Sequence, residues 1–388
     1  MAPKNKGKVL AFLKEYFKRM DPTLLILALM TSGYGLVLIS SAGKANPRFM
    51  IVQGVAIALG VVAYFVITLF DIAHLAVLWK WALVFNLALL STTLFFGVGM
   101  EQTGNNSWIR FQLGGVETGL QPAEIGKVIY ILTLAQHFKI LGRRVNTLGG
   151  LVPLLLHGLL PVAFVYLFSK DDGMAVSYLF IFILMAFAGG IYLRFCVAGL
   201  AGVVAAVPLF WNFIMGQYQR DRFIVLFDTT YKLDSIGYHQ MQSRTAIANG
   251  GWFGAGLYNG PLTQYGHLPT KQTDFIFSVA CEELGFIGGF IIILLLTAII
   301  LKCVADGLTM RDDRFSMLMC VGVAAMLTFQ TFINVGMNLG VAPVVGLTLP
   351  FISYGGTSVV TMFAALGIVS SLKRHYIKRV STRNIYEN

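Results

Sequence analysis

Charge is what this sequence lacks most. Only 12% of its 388 residues are Asp, Glu, Lys or Arg, while 56% are hydrophobic and the mean hydropathy is +0.73. An ordinary soluble domain carries about 25% charged and about 45–50% apolar residues, so this balance excludes a water-soluble globular chain. Cysteine is scarce as well. Cys196, Cys281, Cys303 and Cys320 lie in or beside apolar runs without short paired spacing, which argues against a disulfide framework or a thiolate metal site and leaves small hydrophobes. A Walker loop, a zincin helix and a Rossmann glycine fingerprint are missing from any credible context. No cleavable leader is visible; the first apolar run starts after about twenty residues, is long enough to span, and is expected to direct insertion itself. The net charge of +11 does not indicate nucleic acid, because the basic residues sit at the ends of apolar runs and not on one face of a soluble domain.

What the chain has is long apolar runs. A bilayer span needs roughly 17–25 mostly apolar residues, and about ten runs qualify, centred on residues 22–41, 50–70, 81–98, 125–141, 151–168, 174–193, 195–215, 284–303, 315–337 and 356–372. The fold class expected is therefore an all-α polytopic membrane protein, with a single transmembrane domain over 21–373 and a basic tail over 374–388. Lys and Arg gather on the side of the termini (Lys4, Lys14, Arg19, Arg143, Arg144, Lys373, Arg374, Arg379), whereas Lys44, Arg48, Arg110 and Lys170 represent the sparser opposite side. The positive-inside rule then places both termini in the cytoplasm of a plasma (inner) membrane protein. Before the first span, Val9, Leu10, Leu13, Phe17 and Met20 recur near helical spacing among lysines, so residues 1–20 read as a basic amphipathic segment at the inner interface or as an ordinary basic flank.

One large extracytoplasmic loop, 216–283, lies between the seventh and eighth spans. With two Gly- and Pro-rich outward segments, 100–121 and 339–354, it could form a single non-cytoplasmic cavity. Ionisable groups at membrane depth are costly and usually paired or functional. Glu124 and Lys127, three apart on a helix, can meet as an ion pair that either fixes packing or contacts an anionic head group. Asp274 stands at the mouth of a helix of about 30 residues and roughly 45 Å, with Glu282 and Glu283 about 12 Å deeper. By spacing alone Asp274 reads as a helix N-cap or as a functional carboxylate. Arg222 could grip a phosphate or snorkel to the interface, and Asp171 and Asp172 read as turn formers. These features do not choose between a transporter and an enzyme.

Several segments, taken together, resemble a known family. They are Trp108-Ile109, Gln121-Pro122-Ala123-Glu124-Ile125-Gly126-Lys127, Gly237-Tyr238-His239-Gln240-Met241-Gln242-Ser243, Thr273-Asp274-Phe275-Ile276-Phe277, Glu282-Glu283-Leu284-Gly285 and Leu349-Pro350-Phe351-Ile352-Ser353-Tyr354-Gly355-Gly356. They occur in the order seen in the SEDS (shape, elongation, division and sporulation) proteins, over nearly the whole chain. Gly-Tyr-His in the large loop and Asn334-Val-Gly-Met337 look more like the RodA branch than the FtsW branch. The resemblance implies a ten-helix peptidoglycan glycosyltransferase that polymerises lipid II, the undecaprenyl-pyrophosphate disaccharide-pentapeptide, beside a class B penicillin-binding protein transpeptidase. It makes Asp274 the essential carboxylate and expected general base. Lys127, Glu124, Arg222, Arg110, Lys271, Gln242, Ser243, Ser353 and Tyr354 are the expected substrate-binding residues, with cations aimed at the departing pyrophosphate. No cofactor is evident, although a divalent cation, Mg or Mn, could share the pyrophosphate charge.

The chain departs from the family pattern at three places. Pro269-Thr270-Lys271-Gln272 stands where Pro-Glu-x-His is usual, Ser107 replaces an Arg before Trp-Ile, and Lys170-Asp171-Asp172-Gly173-Met174 replaces Pro-Asp-x-Gly-Thr. Lys271 is expected to help hold Asp274 ionised. A lipid II flippase and a non-catalytic scaffold for a partner transpeptidase remain alternatives to the enzyme.

Overall fold

The computed structural model describes residues 21–44, 46–99, 105–113, 116–228, 231 and 236–387. The amphipathic segment expected over 1–20 lies outside them, as does the start of the 100–121 segment. The long helices are α1 (Thr23–Ala42), α2 (Arg48–Leu69), α3 (Trp79–Phe96), α4 (Pro122–Leu141), α5 (Leu148–Phe164), α6 (Asp172–Ala188) and α7 (Leu193–Leu209), then α8 (Gln217–Phe227), α9 (Ile236–Gly250), α10 (Ile276–Thr309), α11 (Arg314–Leu339) and α12 (Gly356–Glu387). A hairpin of β1 (Ile109–Leu113) and β2 (Val116–Leu120) joins α3 to α4. Among the described residues, 8 helices are long and apolar enough to cross a bilayer. The shorter apolar α6 and the charged α4 run with them through the interior of the bundle.

An apolar run in lipid gains little by facing another apolar run, so close approach of small residues decides which helices touch. A Cβ on Gly60 of α2 would lie 2.7 Å from the Phe363 ring, and one on Gly367 of α12 would lie 3.0 Å from Tyr64 Cα. Helix α4 is enclosed by α3, α6 and α11, with Tyr130, Ile131, Leu134 and Phe138 inaccessible to solvent. Enclosure explains why its polar residues are tolerated: they face protein and not lipid.

Asp21 before α1, Lys302 and Asp306 on α10, and Lys373 on α12 meet at the terminal face. Each lysine lies 2.5 Å from Asp21 and 2.6 or 2.7 Å from Asp306. At the opposite, distal face the expected large loop is largely helical, formed by α8, α9 and the short turn Pro261–Gln264.

Helix α10 is broken where the loop meets it. Gly285 has φ 71° and ψ −164°, a region essentially restricted to glycine, and the break frees backbone groups that a bilayer cannot satisfy. The loop supplies their partners. Ala255 N donates to Glu282 O at 3.0 Å and Gly256 N to Glu283 O at 2.9 Å, while Phe286 N donates to Gly251 O at 2.8 Å. Glu282 and Glu283 complete the seam with side chains: Glu282 accepts Leu262 N (2.7 Å), Thr263 N (2.9 Å) and Thr263 Oγ1 (2.6 Å), and Glu283 accepts Ser41 Oγ (2.7 Å) and Gln264 Nε2 (2.8 Å).

A Cβ on Gly285 would lie 2.4 Å from Trp252 O. Gly285→Ala should therefore destabilise the protein by roughly 3 kcal/mol or more, combining Gly-only backbone strain with overlap. Gly33→Ala on α1, where nothing lies within 4 Å, should change stability by less than about 0.5 kcal/mol. Thermal unfolding in detergent measures both, and equal effects would show that the seam is not rigid.

Candidate active site

Asp274 sits two residues before α10, and the N-cap position belongs to Phe275 with no side-chain cap bond. The capping alternative is therefore not realised, and the Asp274 carboxylate is not committed to the helix start. Its main chain is held instead. Gln272 O accepts Tyr354 N at 2.8 Å, Thr273 O accepts Ser353 Oγ at 2.6 Å, and Asp274 O accepts Asn334 Nδ2 at 3.1 Å and Asn338 Nδ2 at 2.9 Å. The carboxylate faces the turn after α11, where a Cβ on Gly346 would lie 3.9 Å from Oδ2.

The Asp274 side chain keeps a solvent-accessible edge but is surrounded by protein elsewhere. That surrounding pushes its carboxyl up to about 6; the Arg222 charge and the Thr273 hydroxyl oppose the rise and the Asp171 charge adds to it. Burial also raises the Asp171 carboxyl, which accepts Met174 N at 3.0 Å as the cap of α6 and Ser107 Oγ at 2.8 Å. The turn-forming role expected of Asp171 is thus present, and the serine that departs from the family pattern is its hydroxyl partner.

Arg222 is positioned by α8. Gln219 Nε2 donates to Asp172 Oδ2 at 2.7 Å, pinning the helix to the start of α6. One turn on, the Arg222 guanidinium lies 4.6 Å from the Tyr218 ring centroid and donates to its hydroxyl at 3.1 Å. It faces Asp171, Asp172 and Asp274 electrostatically. A carboxyl group and a half-buried guanidinium thus share one cleft at the distal face.

The other expected residues divide. Glu124 and Lys127 form a fully buried pair at 3.1 Å, with Gln330 Nε2 donating to Glu124 Oε1 at 3.3 Å. Gln330 is four residues before Asn334 on α11, so the pair lies about 6 Å below Asp274 along that helix. Ser243 on α9 reaches Ser278 Oγ at 2.6 Å and Asn338 O at 2.8 Å, and Gln242 beside it is half-buried. Tyr354 packs edge-on against Phe49. Arg110 is exposed on β1, in the hairpin whose Gly119 O accepts Thr357 Oγ1 at 3.0 Å. Lys271 corrects the expectation made for it: its ammonium donates to Thr263 O and is drawn by Glu283 and Glu282, not by Asp274. Among the described residues, no group of three or more Asp, Glu, His or Cys stands together as a metal-ligand set.

The sequence reading missed Gln330, Asn334 and Asn338 as site residues. Their spacing of four puts them on one face of a helix, and amides repeating so inside an apolar run were the available signal.

Comparison with known proteins bears on the whole chain. The family described as cell cycle protein, covering FtsW, RodA and SpoVE, matches residues 22–378. The chain belongs to the FtsW/RodA/SpoVE family. Peptidoglycan glycosyltransferase MrdB of Escherichia coli (strain K12) is 31% identical over 366 residues, covering 92% of this chain and 94% of that protein. Stage V sporulation protein E of Bacillus subtilis (strain 168) is 31% identical over 371 residues, covering 92% and 98%. Among solved structures, a chain described under structural coordination of polymerization and crosslinking by a peptidoglycan synthase complex superposes with a TM-score of 0.78 at 29% identity, covering 92% and 98%. Thermus thermophilus rod shape determining protein RodA gives 0.66 at 27%, covering 92% and 97%. The family member described here is thus an all-α, multi-pass membrane protein.

For the buried pair, Lys127→Met should cost about 3–5 kcal/mol, because it leaves Glu124 buried without a countercharge. Glu124→Gln combined with Lys127→Met should recover most of that loss in thermal unfolding. A double variant as unstable as the single one would show that the pair is not the source of the stability.

Proposed function

We propose that this family member is a peptidoglycan glycosyltransferase that polymerises lipid II on the outer face of the plasma membrane, with Asp274 as general base. The observation that carries the proposal is the Asp274 carboxyl, free of the helix cap and with its main chain anchored at the distal mouth of α10, facing an arginine and raised by burial, in a chain whose relatives carry that activity in their names. The basic terminal face is cytoplasmic, α4 and α6 complete ten spans with the eight apolar helices, and Asp274 then opens to the side on which glycan grows. A class B penicillin-binding transpeptidase is the partner, in keeping with the synthase complex to which the fold is similar.

A sugar hydroxyl is a poor nucleophile until a base within hydrogen-bond reach takes its proton, and a base works best with a pKa near the operating pH. Ionised Asp274 accepts the proton of the acceptor hydroxyl as its oxygen attacks the donor's anomeric carbon. The bond to the lipid pyrophosphate breaks on the opposite face, inverting the centre. Negative charge grows on the departing pyrophosphate, and a cation near it stabilises the transition state. Arg222 is best placed for this, since its guanidinium is half-exposed and fork-shaped. Lys127, sealed against Glu124, supports the floor of the cleft, and Arg110 stands at its rim on the hairpin.

Purified protein in detergent, given labelled lipid II with and without its partner, should build glycan ladders, and a normally folded Asp274→Ala variant should lose them. A variant that keeps the ladders, or wild-type protein that makes none while scrambling lipid in vesicles, would refute the assignment. The working form of Asp274 is deprotonated, so the rate should be flat above about pH 7 and fall roughly tenfold per unit below about 6. A rate independent of pH between 5 and 7 would remove Asp274 as the base.

A further inference from the structure

A primary amide inside a membrane span carries two donors and an acceptor that hydrocarbon cannot satisfy. Helix α11 nevertheless holds Gln330, Asn334 and Asn338 at successive turns, all fully buried. Asn334 spends its donors on Leu347 O (2.7 Å) and Asp274 O (3.1 Å). Asn338 spends its donors on Asn334 O (2.8 Å) and Asp274 O (2.9 Å), while its Oδ1 accepts Ser278 N (3.1 Å) and Ser278 Oγ (2.6 Å). Asn338 therefore grips two points at once: the carbonyl of Asp274, and a first-turn amide of the helix that follows it. The two amides also join separate parts of the cleft, because Asn334 holds the turn that carries Gly346 opposite the carboxylate.

We propose that Asn334 and Asn338 are positioning residues that fix the main chain of Asp274, and through it the carboxylate, without touching substrate. The inference rests on the reading of Asp274 as the base. Catalytic groups must be held to within about 0.5 Å of productive geometry, and a displacement of about 1 Å costs on the order of a hundredfold in rate. A carboxylate engaged by strong side-chain bonds would be rigid but spent. Anchoring three successive carbonyls leaves only the short side chain to move, and leaves its oxygens open to a proton. The groups that face the carboxyl are Arg222 from α8, Asp171 at the cap of α6, the Thr273 hydroxyl and the backbone at Gly346. Loosening the main chain changes its distance from all four.

The test is a set of variants in the full chain, with the partner present, assayed on labelled lipid II for kcat, KM and pH dependence. Asn338→Asp keeps the shape and the acceptor for Ser278 but, ionised, offers no donor to Asp274 O. It should lower kcat at least about tenfold and leave KM within about threefold; its added carboxyl displaces the acid limb by charge alone, so the pH readout is taken from the uncharged variant. Asn334→Ala removes one of the two donors without adding a charge; it should give a smaller fall in kcat with the same KM and a displaced acid limb, because a moved carboxylate meets different charges. It stands as the second reading if Asn338→Asp does not fold. A residue that only supports the bundle would lower the melting temperature and the active fraction but leave the acid limb in place.

Asp274→Asn is run alongside. If it still polymerises, the base assignment fails and this inference with it. If it is inert while folded Asn334 and Asn338 variants keep the wild-type kcat and Asn334→Ala keeps the wild-type acid limb, the inference alone is overturned.

Discussion

A main chain in hydrocarbon cannot leave its amides and carbonyls unbonded, and the break in α10 at Gly285 shows how this chain meets that demand. The helix interrupts itself, and the Gly-rich loop enters the gap with carbonyls and amides in complementary positions, so that Glu282 O, Glu283 O, Phe286 N and Ile287 N find partners in the loop. The geometry of the distal face follows. Ser41 on α1, the Pro261–Gln264 turn and the strip leading to Asp274 are all registered to α10 by Glu282, Glu283 and this backbone seam. Two fully buried carboxylates are retained because backbone, hydroxyl and amide donors surround them.

On that frame the cleft keeps its electrostatics asymmetric. Structural carboxylates are committed: Glu124 to Lys127, Glu282 to a helical turn, Asp171 to a cap. The main chain of Asp274 is held, but its carboxyl is answered chiefly by a partly exposed arginine that lies on a tyrosine ring. A group in that state can exchange a proton, whereas the committed ones serve as fixed charges. The division between holding and reacting runs through α11, whose amides serve the main chain and leave the side chain available.

The apolar runs, the large loop and Asp274 were legible in the sequence because length, hydropathy and a contiguous motif carry them. The Glu124 and Lys127 pairing was legible from spacing of three on a helix. Lys271 was misread because position in sequence says nothing of direction: it lies three residues before Asp274, yet its ammonium turns back to Thr263 and the two glutamates. The Gly285 break was not legible, since a glycine beside two glutamates in a helical run does not show its φ, and the residues that mend it, from Gly251 to Gln264, come from about 20 to 35 positions away. Gln330, Asn334 and Asn338 were visible as a period, but their importance depends on which carbonyls face them, and that is a tertiary fact.

The charge cluster on the terminal face has a bearing on how the chain is made. Asp21 directly precedes α1, and its two lysine partners lie 281 and 352 residues later. Until ribosomes have delivered α12, that aspartate has no complete set of countercharges, and α1 must wait in the bilayer or at the insertion machinery as a guest without its final neighbours. Closure of the ring is therefore a late event in biogenesis, and a nascent chain truncated before Lys373 is by construction unlocked at this end.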